Sequence, residues 1–184
     1  MNYGDFKTAT VELEREINDG GERVANTLEL LNVNYTVTTP KLYDLKPHLP
    51  WADIEFKDRS SLEPRNPGNA WEALPDVWSP MKEPNGLYSY TYSERMYSHL
   101  LPVLDELKHN KDSREAYLSI WNPSIDVFRL SRRRVPCTLG YQFFIRDEKL
   151  NITYLQRSCN FKKHYQDDCY LAVKLQQWAA KVLE

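Results

Sequence analysis

The sequence has few cysteines and no long hydrophobic run. Its three cysteines, Cys137, Cys159 and Cys169, fit no Cys-x-x-Cys spacing, so we predict neither a metal site nor a disulfide framework. An intracellular, reduced protein is the default for such a chain, and we expect it in the cytoplasm. No apolar run approaches the ~20 residues that span a bilayer. The start, MNYGDFKTATVELE, is also too acidic and polar for a signal peptide, so we expect no membrane partner.

The chain also lacks an excess of charge of either sign. Lys and Arg total 24, Asp and Glu total 26, and the net charge at pH 7 is −2. No global electrostatic field therefore favours nucleic acid as a partner. We interpret the arginine run Arg132–Arg134 as a solvated run of charge rather than a nucleic-acid patch.

The chain does contain enough apolar material for one domain. Of its 184 residues 41% are hydrophobic, so it can bury a core, and we predict a single domain over 1–184. Much of the Pro and Trp lies between Pro40 and Pro84, which predicts an extended region with aromatic anchors. A structureless stretch of that length is unusual in a compact domain, so short helices or strands are expected within it.

Three segments have helical periodicity. DFKTATVELEREIN is predicted to form a helix that ends at Gly20-Gly21. SERMYSHLLPVLDELKHN is the clearest helix; Ser93 can cap it, and Pro102 separates a first turn from the main helix. DDCYLAVKLQQWAAKVLE is predicted to form a C-terminal helix.

Three further segments are typical of strands. In NTLELLNVNYTVTTP, Val33, Tyr35 and Val37 alternate and Pro40 ends the run. EAYLSIWNP is predicted to be a strand, and TLGYQFFIRDEKLNITYLQRS a hairpin that turns at 146–149. Helices and strands in this order predict an α+β fold.

A Pro-Cys pair stands where the predicted hairpin begins. Cys137 follows Pro136 directly, and three arginines precede the pair closely. A cysteine here can be a small buried hydrophobe, or a nucleophile held at a strand end near positive charge. The pair alone leaves both interpretations open.

Two segments, DELKHNKDSREAYLSIWNPSID and VPCTLGYQFFIRDEKLNITYLQRSCN, resemble the central part of thymidylate synthase and the related pyrimidine nucleotide hydroxymethylases. The similarity covers about 102–160, and a weaker one covers 3–30. The elements that carry it follow the family's order: Asp112-Ser113-Arg114, Trp121-Asn122, Pro136-Cys137, Gln142-Phe143 and Gln156-Arg157-Ser158.

This resemblance implies a thymidylate-synthase-like mixed sheet packed against helices, in a chain shortened at its C-terminal end. It implies a pyrimidine nucleoside monophosphate as substrate, 5,10-methylene-tetrahydrofolate as one-carbon donor, and a homodimer that pairs through its sheet face. A thiolate that adds at C6 of the pyrimidine makes C5 nucleophilic, and C5 then attacks the one-carbon unit.

The resemblance also assigns roles to residues. It implies that Cys137 is the nucleophile and that Arg157 and Ser158 bind the nucleotide phosphate. It implies a phosphate contact from Arg23 and another from Arg114 of the partner subunit. The remaining candidates are Gln156 in substrate binding, Tyr92 as the residue that orders water near the cysteine, and Glu55 as a weak match to the family's catalytic glutamate.

The sequence departs from the family after the hairpin. Asn160 stands where the folate-side Asp is usual, and 163–167 replace a Gly- and Pro-containing segment. Asp168 falls on the position of the base-reading Asn, and a carboxyl group suits cytosine better than uracil. Asp167 is an adjacent alternative, and either residue could instead cap the last helix.

Other departures favour a different class of function. Glu115 replaces a second Arg of the family, and the family's last strands have no counterpart in this sequence. One alternative is a non-catalytic module that keeps the fold for binding or structure. Another is an enzyme that keeps the thiol step but works without folate.

Overall fold

The structure is a computed structural model that describes residues 1–127 and 134–184. Arg132 and Arg133 of the arginine run lie outside the described residues, so its interpretation stays a prediction. Within the described ranges, no helix is both long and apolar enough to cross a bilayer.

Helices and short strands alternate along the chain. The strands are β1 (Asn2–Tyr3), β2 (Glu22–Val24), β3 (Thr27–Glu29), β4 (Thr36–Val37), β5 (Tyr117–Ser119), β6 (Thr138–Arg146) and β7 (Lys149–Gln156). The α-helices are α1 (Phe6–Gly20), α2 (Trp51–Arg59), α3 (Ala70–Ala73), α4 (Pro75–Trp78), α5 (Tyr92–Met96), α6 (Leu100–His109), α7 (Pro123–Asp126) and α8 (Tyr165–Leu183). Short 3₁₀ helices span Leu42–Asp44 and Ser79–Met81. The predicted α+β class is therefore confirmed.

The first predicted helix is confirmed as α1. The side chain of Asp5 accepts a hydrogen bond from the N–H of Thr8 at 2.7 Å and caps the helix. Gly21 ends it by donating its N–H to the carbonyl of Ile17. The helix buries Phe6 and Leu13 against the core.

The strand predicted across residues 26–40 is wrong for most of its length. Residues 30–35 form no strand, and only β3 and β4 lie in this segment. β4 pairs in parallel with the two residues of β1, and the backbone hydrogen bonds to this N-terminal segment reach only from Asn34 to Thr39 in the described residues. The alternating pattern arises because Tyr35 and Val37 pack on the core, whereas Val33 is exposed.

The Pro- and Trp-rich region, in which short helices or strands were expected, contains α2, α3, α4 and both 3₁₀ helices. Its aromatic residues anchor it as expected. Trp51 and Trp78 stack with ring centroids 5.7 Å apart, and Trp71 packs on both Trp78 and Tyr88.

The helix predicted from Ser93 is two helices, and its cap is a different residue. Thr91 caps α5 in a reciprocal capping box with Glu94. Ser93 lies inside α5, and the break falls at 97–99, ahead of Pro102. Pro102 lies in the first turn of α6, where its missing N–H leaves no helical hydrogen bond unmade.

The main sheet has the strand order β5-β6-β7, with both pairs antiparallel. The hairpin is confirmed, and Asp147 and Glu148 turn it with positive φ values of 52° and 55°. A turn with two consecutive residues of positive φ has a backbone twist that matches the right-handed twist of the strands on either side. Gly140 is required, because a Cβ there would lie 2.6 Å from the backbone carbonyl oxygen of Leu118.

The confirmed C-terminal helix α8 connects two hydrophobic clusters. Leu171 and Val173 pack with α1, α2 and the tryptophans, whereas Ala172 and Leu175 pack with α6 and the inner face of the main sheet. That inner face is formed by buried residues such as Tyr141 and Phe143. One end of the sheet is therefore held close to the first turn of α8.

Candidate active site

Cys137 stands directly before β6, between two fully buried residues, Pro136 and Thr138. Its own side chain is half-buried. The pairing of β6 with β7 shifts register between Thr138 and Gly140. Such irregularities redirect side chains and are frequent beside active sites.

Arg157 is bound to the segment that carries Cys137. Its backbone N–H donates to the carbonyl of Cys137 at 2.9 Å. Its guanidinium donates to the carbonyl of Pro136 at 2.9 Å and to that of Val135 at 3.3 Å. The hydroxyl of Ser158 lies 3.7 Å from the Cys137 sulfur. A cation and a hydroxyl donor thus stand beside the thiol, in a place that also suits an anionic phosphate.

A chain of hydroxyls begins at the residue after Cys137. The Thr138 Oγ1 lies 3.1 Å from the Tyr92 hydroxyl and 2.9 Å from the Tyr154 hydroxyl. Tyr154 stacks on Tyr141 with centroids 4.7 Å apart. Burial raises the pKa values of Tyr92 and Tyr154 far above the usual tyrosine value, so both stay neutral near pH 7.

A buried ion pair lies under Tyr92. The Glu55 carboxylate accepts a hydrogen bond from Arg59 Nε at 2.7 Å, and both side chains are almost fully buried. The Arg59 guanidinium lies 3.9 Å from the centroid of the Tyr92 ring. Although burial opposes its charge, the Glu55 carboxylate raises the pKa of Arg59 above its usual range.

We expect Glu55→Gln to destabilise the fold by about 3–5 kcal/mol, because it leaves the buried Arg59 charge uncompensated. Chemical denaturation would measure the change. Glu63→Gln is the matched control: Glu63 pairs with Arg65 at 2.9 Å but is 65% exposed. Its loss is expected to cost less than about 1 kcal/mol. Equal costs for the two variants would contradict the expectation.

Asp168 lies on the first turn of α8 and accepts a hydrogen bond from the last residue of β7. Gln156 Nε2 donates to Asp168 Oδ2 at 2.8 Å, and the Cys159 thiol lies 3.8 Å from the same oxygen. Burial raises the pKa of Asp168, against the opposing effects of Gln156 and Arg59. Although Cys159 is exposed as a residue, desolvation of its sulfur by surrounding atoms and the nearby Asp168 carboxylate raise its pKa, so Cys159 remains a thiol.

Neither aspartate caps α8, so that interpretation is wrong. The N-cap position is His164, with no side-chain cap. Asp167 accepts the N–H of His48 at 2.7 Å, and its other oxygen lies 2.8 Å from His48 Nδ1. Both oxygens of Asp167 are therefore engaged, and Asp168 is the acid that stands near the strand of Cys137.

Two predicted phosphate ligands lie elsewhere. Arg23 is exposed on the β2–β3 hairpin, and no hydrogen bond or ion pair in the described residues joins it to the site. The carbonyl of Arg114 accepts a hydrogen bond from Gln142. Gln142 is five residues beyond Cys137 on β6, or roughly 17 Å at ~3.4 Å per residue. Within one chain, Arg114 therefore does not reach the thiol.

The tryptophan cluster offers flat faces and free donors to a ring such as that of a folate. Three of the buried donors that have no hydrogen-bond partner within the described residues belong to it: Trp51 Nε1, Trp78 Nε1 and the Tyr88 hydroxyl. Arg134, three residues before Cys137, lies over the Trp78 ring at 5.3 Å. Aromatic faces with unpartnered donors, next to the Pro-Cys segment, fit a planar heteroaromatic ring that carries acceptors.

The side chain of Asn160 takes part in a local turn. Its side-chain carbonyl accepts the N–H of Lys163 at 3.1 Å. The oxygen is thus engaged in its own turn, and the amide NH₂ is the group left to donate. The carboxylate expected at this position would have been an acceptor.

Sequence reasoning missed four residues of this site. Arg59 could have been found from its Glu-x-x-x-Arg spacing on α2. No sequence feature marked Thr138 and Tyr154 as site residues, apart from their position in the predicted hairpin. Tyr90 is buried with its ring centroid 5.9 Å from that of Tyr92, and electrostatic coupling links its hydroxyl to Cys137 and Arg157.

Comparisons with known proteins agree on one family. The family model described as thymidylate synthase matches residues 47–177. A relative from Methanocaldococcus jannaschii, named "Putative thymidylate synthase", is 29% identical over 134 residues, which are 72% of this chain and 57% of that relative. One of the same name from Methanosarcina mazei is 32% identical over 100 residues, which are 51% of this chain and 45% of that relative. The chain thus spans about half the length of these curated relatives.

A solved structure has the same fold. The thermostable thymidylate synthase A from Bacillus subtilis superposes with a TM-score of 0.75 at 17% identity. The match covers 97% of this chain and 74% of that one. It confirms the predicted architecture of the fold.

Proposed function

Since this chain belongs to the thymidylate synthase family, we propose that it transfers a one-carbon unit to C5 of a pyrimidine nucleoside monophosphate. The Cys137 thiolate adds to C6, the ring electrons move toward C5, and C5 becomes the nucleophile. The observation that carries the proposal is that Arg157 donates hydrogen bonds to the carbonyls of Cys137 and Pro136, while the Ser158 hydroxyl lies 3.7 Å from the Cys137 sulfur. The same cation and hydroxyl donor suit the anionic phosphate of a nucleotide whose ring lies on the sulfur.

The nucleotide is oriented by groups on both sides of the thiol. Arg157 and Ser158 bind the phosphate, since a guanidinium fork matches phosphate oxygens. Asp168 and Gln156 face the base. Asp168 Oδ2 is engaged with Gln156, which leaves Oδ1 to accept the N4 amino group of cytosine. We therefore propose a cytosine nucleotide as substrate and a hydroxymethylated product.

Methylene-tetrahydrofolate would supply the one-carbon unit when bound. The residues that would hold it are Trp51, Trp78 and Tyr88, with Arg134 over the indole of Trp78. Their role is to provide aromatic faces and donors beside the Pro-Cys segment and to exclude water from that side of the thiol.

A second copy of the chain is proposed to cover the outer face of the main sheet. Tyr117 and Leu155 are each 38% exposed there. Their side chains point away from the buried face because neighbouring residues alternate along a strand. This arrangement would also bring the partner's phosphate-binding arginine into reach. Sedimentation equilibrium at micromolar concentration tests it, and a monomer would contradict it.

The test of the proposed function is intact-protein mass spectrometry after incubation with 5-fluoro-dCMP or 5-fluoro-dUMP, each with and without methylene-tetrahydrofolate. We expect a covalent adduct that maps to Cys137. The hydrogen normally present at C5 leaves as a proton, whereas fluorine does not leave as a cation, so the adduct is trapped. Formation with the cytosine analogue is expected to exceed that with the uracil analogue. No adduct in any combination, from folded protein, would favour the non-catalytic module instead.

A further inference from the structure

Thr138 is a buried residue that the proposed function does not use. It follows the nucleophile directly and is fully buried. Its hydroxyl is the centre of the chain that joins Tyr92, on α5, to Tyr154, on β7. Both strands of the hairpin and the sequence-distant α5 thus meet at one oxygen beside Cys137.

The hydrogen count at this oxygen allows the chain two directions. A threonine hydroxyl has one hydrogen, so it donates to only one of the two tyrosines and can accept from the other. When Tyr154 donates to Thr138 and Thr138 donates to Tyr92, the hydrogen of Tyr92 is left for a water or the substrate. Both tyrosines stay neutral near pH 7, because burial raises their pKa values.

The two outer members of the chain are held in place by their rings. The guanidinium of Arg59, paired with Glu55, lies on the face of Tyr92. Tyr154 is stacked on Tyr141, with an interplanar angle of 9°. The rings therefore cannot easily turn, and the Thr138 hydroxyl is the link that sets the orientation of the Tyr92 hydrogen.

We propose that Thr138 is a positioning residue, which directs the Tyr92 hydroxyl toward the water that exchanges protons with C5 of the bound pyrimidine. The inference rests on the proposed function. In the step concerned, the Cys137 thiolate forms a bond to C6, and C5 takes a proton from that water. The original C5 proton then leaves to solvent, and the sulfur–C6 bond breaks to restore the ring.

The experiment separates thiol addition from proton transfer. Wild type, Thr138→Val and Thr138→Ser are compared by adduct formation with 5-fluoro-dCMP and by exchange of the C5 hydrogen of dCMP with solvent. The adduct is formed with methylene-tetrahydrofolate present, so that C5 bonds to the one-carbon unit and needs no proton from water, whereas exchange at C5 needs the oriented hydroxyl. Thr8→Val, the same substitution in the exposed part of α1, is the matched control.

We expect Thr138→Val to form the adduct at close to the wild-type rate while its exchange kcat falls on the order of 10–100-fold, the lower part of what positioned proton transfer contributes. The KM for dCMP should change little. Thr138→Ser, which restores the hydroxyl, should recover most of the exchange rate. Thr8→Val should match wild type in both assays.

Three results would overturn the inference. Exchange in Thr138→Val equal to that of wild type would mean that the hydroxyl orients nothing. Parallel loss of adduct and exchange would reveal a purely structural role. Should Thr138→Val fail to fold, Tyr154→Phe replaces it, with the exposed Tyr43→Phe as control; undiminished exchange there overturns the inference. Wild-type protein that forms no adduct would refute the proposed function itself, which is a different outcome.

Discussion

Replacement of Cys137 by alanine is expected to abolish covalent trapping of the fluorinated nucleotides and to reduce exchange at C5 on the order of 10⁴-fold or more, as loss of a covalent nucleophile does. The side chain is half-buried and small, so the fold should survive. Mass spectrometry of the intact protein and isotope exchange at C5 measure the two effects.

Cys159→Ala is the matched control for this prediction. Cys159 lies two residues from Arg157, but its thiol stays protonated because burial and the Asp168 carboxylate raise its pKa. The control variant should therefore keep both the adduct and the exchange. If Cys159→Ala abolished trapping while Cys137→Ala did not, the nucleophile would have been assigned to the wrong cysteine.

Asp168→Asn is expected to shift the preference of the site from cytosine toward uracil by about 10²–10³-fold in kcat/KM, since a site that hydrogen-bonds a substrate strongly rejects a mismatched group. Gln156 Nε2 donates to one side-chain oxygen at this position. In the variant, that donor selects the amide oxygen. The amide NH₂ then faces the base, where it suits the O4 of uracil.

The measurement is competitive exchange at C5 in a mixture of dCMP and dUMP. Asp167→Asn is the control, because both oxygens of Asp167 are engaged with His48. We expect that control to lose stability but to keep the base preference. An unchanged preference in Asp168→Asn would mean that another group recognises the base.

Asp168 also gives the stability a pH dependence of known sign. Because burial raises its pKa in the folded state, the carboxyl binds its proton more tightly when folded than when unfolded. Below the pKa of the unfolded state, Asp168 therefore leaves the free energy of unfolding unchanged. As pH rises from there toward the pKa of the folded state, Asp168 lowers the free energy of unfolding. Asp168→Asn should therefore lose less stability than wild type as pH rises from about 4, the unfolded pKa of Asp, to neutrality. A steeper loss in the variant would contradict this.

The parts of the fold that sequence patterns predicted are those with their own local signals. The hairpin has a long alternating run on each side of a polar turn, and α8 has a continuous apolar face. The segment around Val33 had the same alternation, but its strand pairing is limited to two residues of β4 against the two of β1. The cap of α5 depended on Thr91 rather than Ser93, two hydroxyls that local sequence does not distinguish.

The site was predicted as far as its residues follow one another in the chain. Cys137, Arg157 and Ser158 lie on the two strands of one hairpin, so their proximity follows from its register. Tyr154 and Thr138 also lie on that hairpin, whereas Arg59 and Tyr92 come from α2 and α5, and only tertiary packing brings those two to it. The roles of Arg23 and Arg114 depend on contacts outside a single chain's described residues, and they stay predictions.

The position of α8 between the two hydrophobic clusters has a consequence for how base preference can evolve. Asp168 is on the first turn of this helix, whereas Ala172 and Leu175 pack it against α6 and the sheet. A rigid helix converts a change of side-chain volume in the core into a displacement at its end. Under the proposed contact of Asp168 with the base, selection for a new nucleobase has a second route, through interior substitutions that do not touch the nucleotide.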